Sequence, residues 1–566
     1  MLSQPGAKAI SGRAGLAPFW SGAHGRGRMK QVSGSTSCIQ GETFGRKLNA
    51  ASHRVVLMAA LLIAGISSSL HAQRPQPNIV LVMMDDLGYG DLGAYGGTDV
   101  RTPNADRLAR EGVRFTDAYA NGPVCTPTRA ALITGRYPQR VGLEDVLGFS
   151  PADRERGLPV TGHSLPALLK GSGYATGLIG KWHLGWKPEF GPNAHGFDEF
   201  YGFMSGAHSY YTNRADVRRV GAGAPDLFEN TEPVEATGYL TDEITRRAVS
   251  FIGRHSGRPF FLEVAYNAPH WPFEPPDSPP RGSKPPLRQM PDDSAASTRQ
   301  DYVRVLERAD RGVGEILAEL ERRGLASNTL VIFTNDNGGE WLSRNAPLFH
   351  RKGTLWEGGI RVPLIMRWTG QLARGKTSDQ VTTTVDLTAS ILAAAGVHPP
   401  AAYRPDGIDV LPILRGKTPK IQRQVFWRWN RPDRSQSAVR SGKWKLLADG
   451  AHLMLFDLSV DPGERTDLAA RHPETISSLQ RLLSEWQRDV AQPTGSAQRE
   501  TTGGQGAATG AQGEIVQISI RVRGAAWTAD PSWHERDQDP ISIINSRARV
   551  PSPRVPTDAH PDSGVR

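Results

Sequence analysis

A chain of 566 residues, 38% hydrophobic and 22% charged, has apolar content for a large core, and its two cysteines exclude a disulfide-stapled scaffold. The net charge is +10, but residues 1–72 carry eight Lys/Arg against one Asp/Glu, which leaves +3 for the rest. Nucleic-acid binding thereby loses its compositional support, whereas an anionic small substrate stays compatible with the balance.

Residues 1–54 are basic, with Glu42 the only acidic residue, and lead into the apolar run Val55 to Ile66. That run is shorter than the roughly 20 residues a membrane-spanning helix needs. Small and polar residues follow, from Ser67 to Ala72. The order reads as a secretory signal cleaved after Ala72, with export machinery as a partner and a periplasmic or secreted product that keeps no stable membrane span. The basic region is long for a signal and Leu70 is not the usual small residue. A start further downstream, such as Met29, accounts for the length, and an uncleaved anchor is the alternative.

Asn78 to Met84 is an apolar run that predicts a strand buried on both faces, with Asp85 and Asp86 directly after it. Thr102-Pro103 opens a helix that reaches Glu111. Cys125-Thr126-Pro127-Thr128-Arg129 holds the only cysteine beyond the leader, since Cys38 lies within it, so no intrachain disulfide remains. Pro127 suits the first turn of a helix through Ala130 to Ile133, which puts Cys125 at a helix N-terminus. The bland alternative for Cys125 taken alone is a buried structural cysteine.

Helix, apolar strand and polar cluster then recur. Ser164–Leu169 leads to Ala175–Ile179 and Lys181-Trp182-His183. Thr241–Ile252 leads to Pro259–Tyr266 and Ala268-Pro269-His270. Tyr302–Arg323 leads to Thr329–Thr334 and Asp336-Asn337. This is the pattern of an α/β domain with a central, mostly parallel mixed sheet flanked by helices, in which ligands bind beyond the carboxyl ends of the strands. Every polar cluster falls at such an end. From about residue 421 a smaller α+β unit is expected. Val425–Trp429 and Trp444–Leu447 read as paired antiparallel strands, and Pro473–Val490 as an amphipathic helix. Residues 492–566 read as a low-complexity, disordered tail, apart from a short strand at Ile515–Val522. The expected division is therefore a leader at 1–72, a catalytic domain at 75–420, a C-terminal subdomain at 421–491 and the tail.

Asp85, Asp86, Asp336 and Asn337 form an oxygen-rich set that suits Ca²⁺ or Mg²⁺, and no Cys/His cluster offers a zinc site. Arg129, Lys181 and Lys352, with His183 and His270, suit a tetrahedral anion. Each has an ordinary reading alone: a turn for the aspartates, a solvated lysine for Lys352, loop histidines for the others.

The motifs together resemble those of the type I sulfatases of the alkaline phosphatase superfamily. Asp85-Asp86-Leu87-Gly88-Tyr89-Gly90 is similar to the family's first metal segment, and Cys125 through Leu132-Ile133-Thr134-Gly135-Arg136 to its modification signature. Gly180-Lys181-Trp182-His183-Leu184-Gly185, Ala268-Pro269-His270, Asn335-Asp336-Asn337-Gly338-Gly339, Lys352 through Pro363 and Leu455-Phe456-Asp457-Leu458 fit as well. The layout looks closest to arylsulfatase and N-acetylgalactosamine-6-sulfatase. The resemblance implies an alkaline-phosphatase-like fold and a sulfuric ester hydrolase acting on a sulfated carbohydrate or aryl sulfate.

It further implies that a formylglycine-generating enzyme oxidises Cys125 to formylglycine, hydrated to a diol. Ca²⁺, with Mg²⁺ as the other option, would be held by Asp85, Asp86, Asp336, Asn337 and residue 125. Asp336 would accept the proton of the attacking hydroxyl, Lys181 and Lys352 would neutralise the sulfuryl oxygens, and His270 would bind substrate and protonate the leaving oxygen. Arg129 would hold residue 125, and His183 would take the second hydroxyl's proton as sulfate is expelled. A phosphodiester or phosphonate monoester hydrolase, and a glycan-binding protein without catalysis, are the rival readings. Trp182, Trp186, Trp271 and Trp341 flank the expected pocket, as sugar-stacking rings or as core.

Overall fold

The computed structural model describes residues 76–211, 226–235, 238–277, 297–401, 403–432 and 434–491. Two compact units divide the chain between Arg74 and Pro75, and every described residue belongs to the second. The expected leader, tail and Ile515–Val522 strand lie outside the described residues.

The large sheet is built from β1 (Asn78–Met84), β2 (Val113–Phe115), β3 (Ala175–Lys181), β4 (Glu199–Phe203), β5 (Phe228–Glu229), β6 (Glu232–Pro233), β7 (Phe260–Ala265), β8 (Thr329–Asn335), β9 (Leu364–Arg367) and β10 (Lys376–Ser378). Its order is β10-β2-β9-β8-β1-β7-β3-β4-β5-β6. The centre is parallel, β8 and β7 flanking β1 and β3 following β7, while β9 runs antiparallel to β8. This is the mixed, mostly parallel sheet the alternating pattern predicts.

The helices cover both faces, which is why the strands read as unbroken apolar runs. Val80, Val82 and Met84 point to α1 (Pro103–Glu111), α4 (Leu240–Arg254) and α5 (Arg299–Arg322). Ile79, Leu81 and Met83 point to α2 (Cys125–Thr134), α3 (Leu165–Gly171) and α6 (Thr384–Ala395). Caps set several starts: Ser164 Oγ accepts from Ala167 N at the head of α3, and Thr298 and Asp301 form a reciprocal box on α5.

The C-terminal sheet is β11 (Gln424–Arg431), β12 (Arg434–Ser441), β13 (Trp444–Asp449) and β14 (His452–Asp457), antiparallel in that order, with α7 (Pro473–Val490) packed on it. The expected pairing of Val425–Trp429 with Trp444–Leu447 is corrected here, because β12 lies between them. One face, with Val439, Leu446 and Leu455, takes Leu479, Leu483, Trp486 and Val490 of α7. The other, with Val425, Trp427, Trp429 and Ala438, closes over Val124, Leu355 and Ile360 of the large domain. Val124 is the residue before α2, and Leu355 follows Lys352 by three places, so the small sheet backs the segments that carry site residues.

Candidate active site

The parallel strands β1, β3, β7 and β8 all end on one edge, and the expected polar residues collect there. Asp85 and Asp86 leave β1, the second with φ of 65°, a left-handed turn that separates the two carboxylates. Asp336 and Asn337 leave β8 beside them, Asp336 N donating to Met84 O. Asn335 clamps the two loops by accepting from Leu87 N and donating to Leu87 O.

Cys125 opens α2, as Pro127 predicts, and is 2% exposed. Its thiol lies 3.6 Å from Asp85 Oδ1. One oxygen of Asp85, one of Asp86, the Cys125 sulfur and one ring nitrogen of His270 all fall within 4.8 Å of one another. His270 was not among the residues expected at the metal. Arg129, four places along the same face of α2, sends Nε and Nη2 to Asp336 Oδ2 at 3.1 and 2.8 Å and Nη1 to Lys181 O. These hydrogen bonds fix Asp336 and the end of β3 rather than side chain 125 itself. Lys181 Nζ donates to Asp85 Oδ2 at 2.6 Å and Lys352 Nζ to Asp86 Oδ2 at 2.7 Å. Asn337 Nδ2 donates to Asp86 Oδ1.

Three carboxylates therefore face three cations in a buried pocket. Two oxygens stay without partners: Asp336 Oδ1 and Asn337 Oδ1. Leaving a buried acceptor unsatisfied costs about 1–3 kcal/mol, so the pair calls for a ligand. A hard divalent cation fits that oxygen set. Asp85, Asp86, Asp336 and Asn337 are the residues that would hold it.

The charges shift the titration of these groups. Burial opposes ionisation of Asp86, but Lys352 and His270 outweigh it and hold its pKa well below the usual carboxylate range. Burial and the neighbouring Asp85 raise Asp336 to about 6 despite Arg129. Burial pushes the Cys125 thiol up, beyond what Lys181 and Lys352 pull back. As a thiol it is a poor nucleophile at neutral pH.

His183 has φ of 60° and is buried. Burial and Lys181 hold its pKa well below 6.5, so it is neutral. Nε2–H donates to Leu147 O, which leaves Nδ1 as a bare acceptor with no partner. Burial and Lys352 lower His270 to about 3. Its Nδ1 faces Trp271 O, and its Nε2 lies 3.5 Å from Asp86 Oδ2.

Not every expected residue faces the pocket. Trp182 and Trp271 belong to the two core layers, and Trp182 Nε1 donates to Phe190 O. Trp186 packs against Phe149 with the two rings tilted by 59°. Sequence reasoning missed Glu340, whose Oε2 lies 3.6 Å from Lys352 Nζ, and Gly206, against which the His183 ring rests. Glu340 carried a signal, being two residues past the Asn337-Gly338 turn; Gly206 carried none.

The chain is similar to known proteins in sequence and in fold. The sulfatase family model matches residues 77–397, and a model for the C-terminal part of N-sulphoglucosamine sulphohydrolase matches 347–489. N-acetylgalactosamine-6-sulfatase of Sus scrofa is 34% identical over 485 residues, covering 76% of this chain and 89% of that protein. Arylsulfatase A of Bos taurus is 34% identical over 495 residues, covering 77% and 93%. Among solved structures, Ps i-CgsB in complex with k-i-k-neocarrahexaose is 33% identical with a TM-score of 0.66, covering 74% of this chain and 94% of that one.

Proposed function

We infer the chemistry from membership: the chain belongs to the sulfatase family and is a sulfuric ester hydrolase, and we propose that it removes sulfate from a sulfated carbohydrate in an exported compartment. The observation that carries the reading is the meeting of Cys125, Asp85, Asp86 and His270 within one cluster at the strand ends. Relatives named for N-acetylgalactosamine 6-sulfate hydrolysis, and a structural neighbour bound to an oligosaccharide, support a sugar as the alcohol part. Export rests on the sequence of residues 1–72. Among the described residues no helix is long and apolar enough to cross a membrane.

Formylglycine at position 125 would supply a diol hydroxyl as nucleophile, and Ca²⁺ or Mg²⁺ a positive charge that makes that hydroxyl more acidic. The chain's own groups do the rest. Lys181 and Lys352 bind the anionic oxygens of the ester. Asp336, held by Arg129 through Oδ2, is the carboxylate assigned to accept the proton of the attacking hydroxyl. His183, neutral with a bare Nδ1, accepts a second proton. Neutral His270 carries its one proton on Nδ1, facing Trp271 O, so its Nε2 has none to give in the resting state. An anionic ester bound beside it favours the imidazolium, so its acid role follows substrate binding.

The test uses protein from a host that carries a formylglycine-generating enzyme. The peptide containing residue 125 should be about 18 Da lighter than its thiol form. Turnover of 4-nitrophenyl sulfate should exceed that of a phosphonate monoester and disappear in Cys125→Ala. A clear preference for the phosphonate, or an unmodified thiol in active protein, overturns the reading.

A further inference from the structure

Asn267 is buried just past the end of β7, 2% exposed, and neither atom of its carboxamide has a hydrogen-bond partner among the described residues. A flip of the amide changes nothing, because oxygen and nitrogen are both orphaned. Buried amides in folded chains find partners, so this one needs partners from outside the fold. The backbone on either side of it is fixed. Asn267 O accepts from His270 N at 2.8 Å and from the Tyr210 hydroxyl at 3.2 Å, Tyr266 N donates to Met83 O, and Asp85 N donates to Ala268 O.

Its direction follows from its neighbours. Tyr266 and Ala268 both lie in the layer of α4 and α5, with the Tyr266 hydroxyl 2.7 Å from Thr245 Oγ1 on α4. Asn267, between them, faces the other layer, where α2 brings Cys125 and Arg129. In the sheet β7 lies between β1 and β3. Lys181, at the end of β3, still reaches Asp85, just past the end of β1, at 2.6 Å. That ion pair spans the end of β7, and Asn267 stands at that end. A carboxamide there has chemistry that suits two unlike neighbours. A sulfuryl group carries only acceptors and the Lys181 ammonium only donors, so one carboxamide between them satisfies both of its atoms at once.

We propose that Asn267 is a further binding residue for the sulfuryl group: Nδ2 donates to a sulfuryl oxygen while Oδ1 accepts from the Lys181 ammonium. This rests on the sulfate-ester reading of the pocket. The side chain contributes no hydrogen bond to the fold itself, so binding and stability separate when it is replaced.

The experiment compares wild type, Asn267→Leu and Asn267→Ala, made in a host with a formylglycine-generating enzyme and assayed with Ca²⁺. Leucine is close to asparagine in length and drops both polar atoms. Asn267→Leu should raise the inhibition constant of inorganic sulfate and lower kcat/KM on 4-nitrophenyl sulfate, each about tenfold or more, the scale of a lost hydrogen bond to a charged group. Its Tm should stay at or above that of wild type, because an orphaned amide has been removed. Asn267→Ala should lose the same binding while its Tm falls with the cavity it leaves. A side chain that only shapes the fold would move Tm and spare the sulfate constant. A constant within twofold of wild type in both variants overturns the proposal, and so does a loss of binding confined to the variant whose Tm falls. Titrating inorganic sulfate into Cys125→Ala, with and without Asn267→Leu, reads the contact without turnover. A wild type that hydrolyses no sulfate ester defeats the function reading, and this titration still decides Asn267. Weaker binding in the double variant supports the contact, and equal or undetectable binding in both overturns it.

Discussion

His183 owes its place to the absence of a side chain opposite. A Cβ on Gly206 would lie 2.5 Å from His183 Cε1 and 2.6 Å from Nε2, distances no atoms tolerate, so the ring would have to leave Leu147 O. Gly206→Ala is expected to lower kcat on 4-nitrophenyl sulfate by about tenfold or more, the usual scale for a displaced general base, while Tm changes little because Gly206 is half-buried. A kcat within twofold of wild type would contradict this. Glu263 offers a pH-dependent counterpart. It sits in the middle of β7 among apolar neighbours with Oε2 unpartnered. Burial, only partly offset by Arg129, raises its pKa from 4.5 to about 7. Between those values the folded chain keeps a proton that the unfolded chain has released. Its contribution to stability therefore falls as pH rises through that window and stays lost above it. Glu263→Gln removes a penalty of about 3 kcal/mol at pH 8 and leaves pH 4 unchanged. Urea midpoints at the two pH values check this; an equal shift at both would refute it.

The element least legible in the sequence is β12, and its energetics explain why. Its inward residues include Gln436, Ala438 and Arg440, so no apolar alternation marks it. The polar ones are satisfied by the large domain instead. Gln436 Oε1 accepts from Leu355 N, and Arg440 reaches Asp117 and Tyr119. Elements buried on both faces by apolar residues, β1, β3, β7 and β8, were readable nearly to the residue, and so was α7. The strand-end residues were readable too, because a parallel sheet sends its chain reversals to one edge. Pairings between distant polar groups were not, Glu340 with Lys352 among them. Next to β12, Lys445 joins two further carboxylates, Glu357 at 2.9 Å and Glu464 at 2.8 Å, all fully buried. Glu464 N-terminally braces the one-turn helix Glu357–Ile360 by accepting from Glu357 N. Lys445→Met leaves both carboxylates without their ammonium. A loss of about 3–5 kcal/mol in chemical denaturation is expected; a loss under 1 kcal/mol would show the cluster to be dispensable.

At the scale of the molecule, a cation held at the site would link it to global stability. It would relieve the orphaned oxygens of Asp336 and Asn337 only in the folded state. Chelation of purified protein should lower Tm as well as abolish turnover, and Ca²⁺ at a hundred times its Kd should return about 2.7 kcal/mol. A Tm indifferent to chelator and ion would argue against a structural link.

The small sheet that closes over Val124 also imposes a schedule. Its strands begin at Gln424, some three hundred residues after Cys125 in the order of synthesis. At about 5–20 residues per second, ribosomes take roughly 15–60 s to make that stretch. If Cys125 is oxidised as proposed, the modifying enzyme would have that interval of access before Trp427 and Trp429 close over Val124. A chain that folded before that step would hold its thiol in the interior, where Cys125 is 2% exposed.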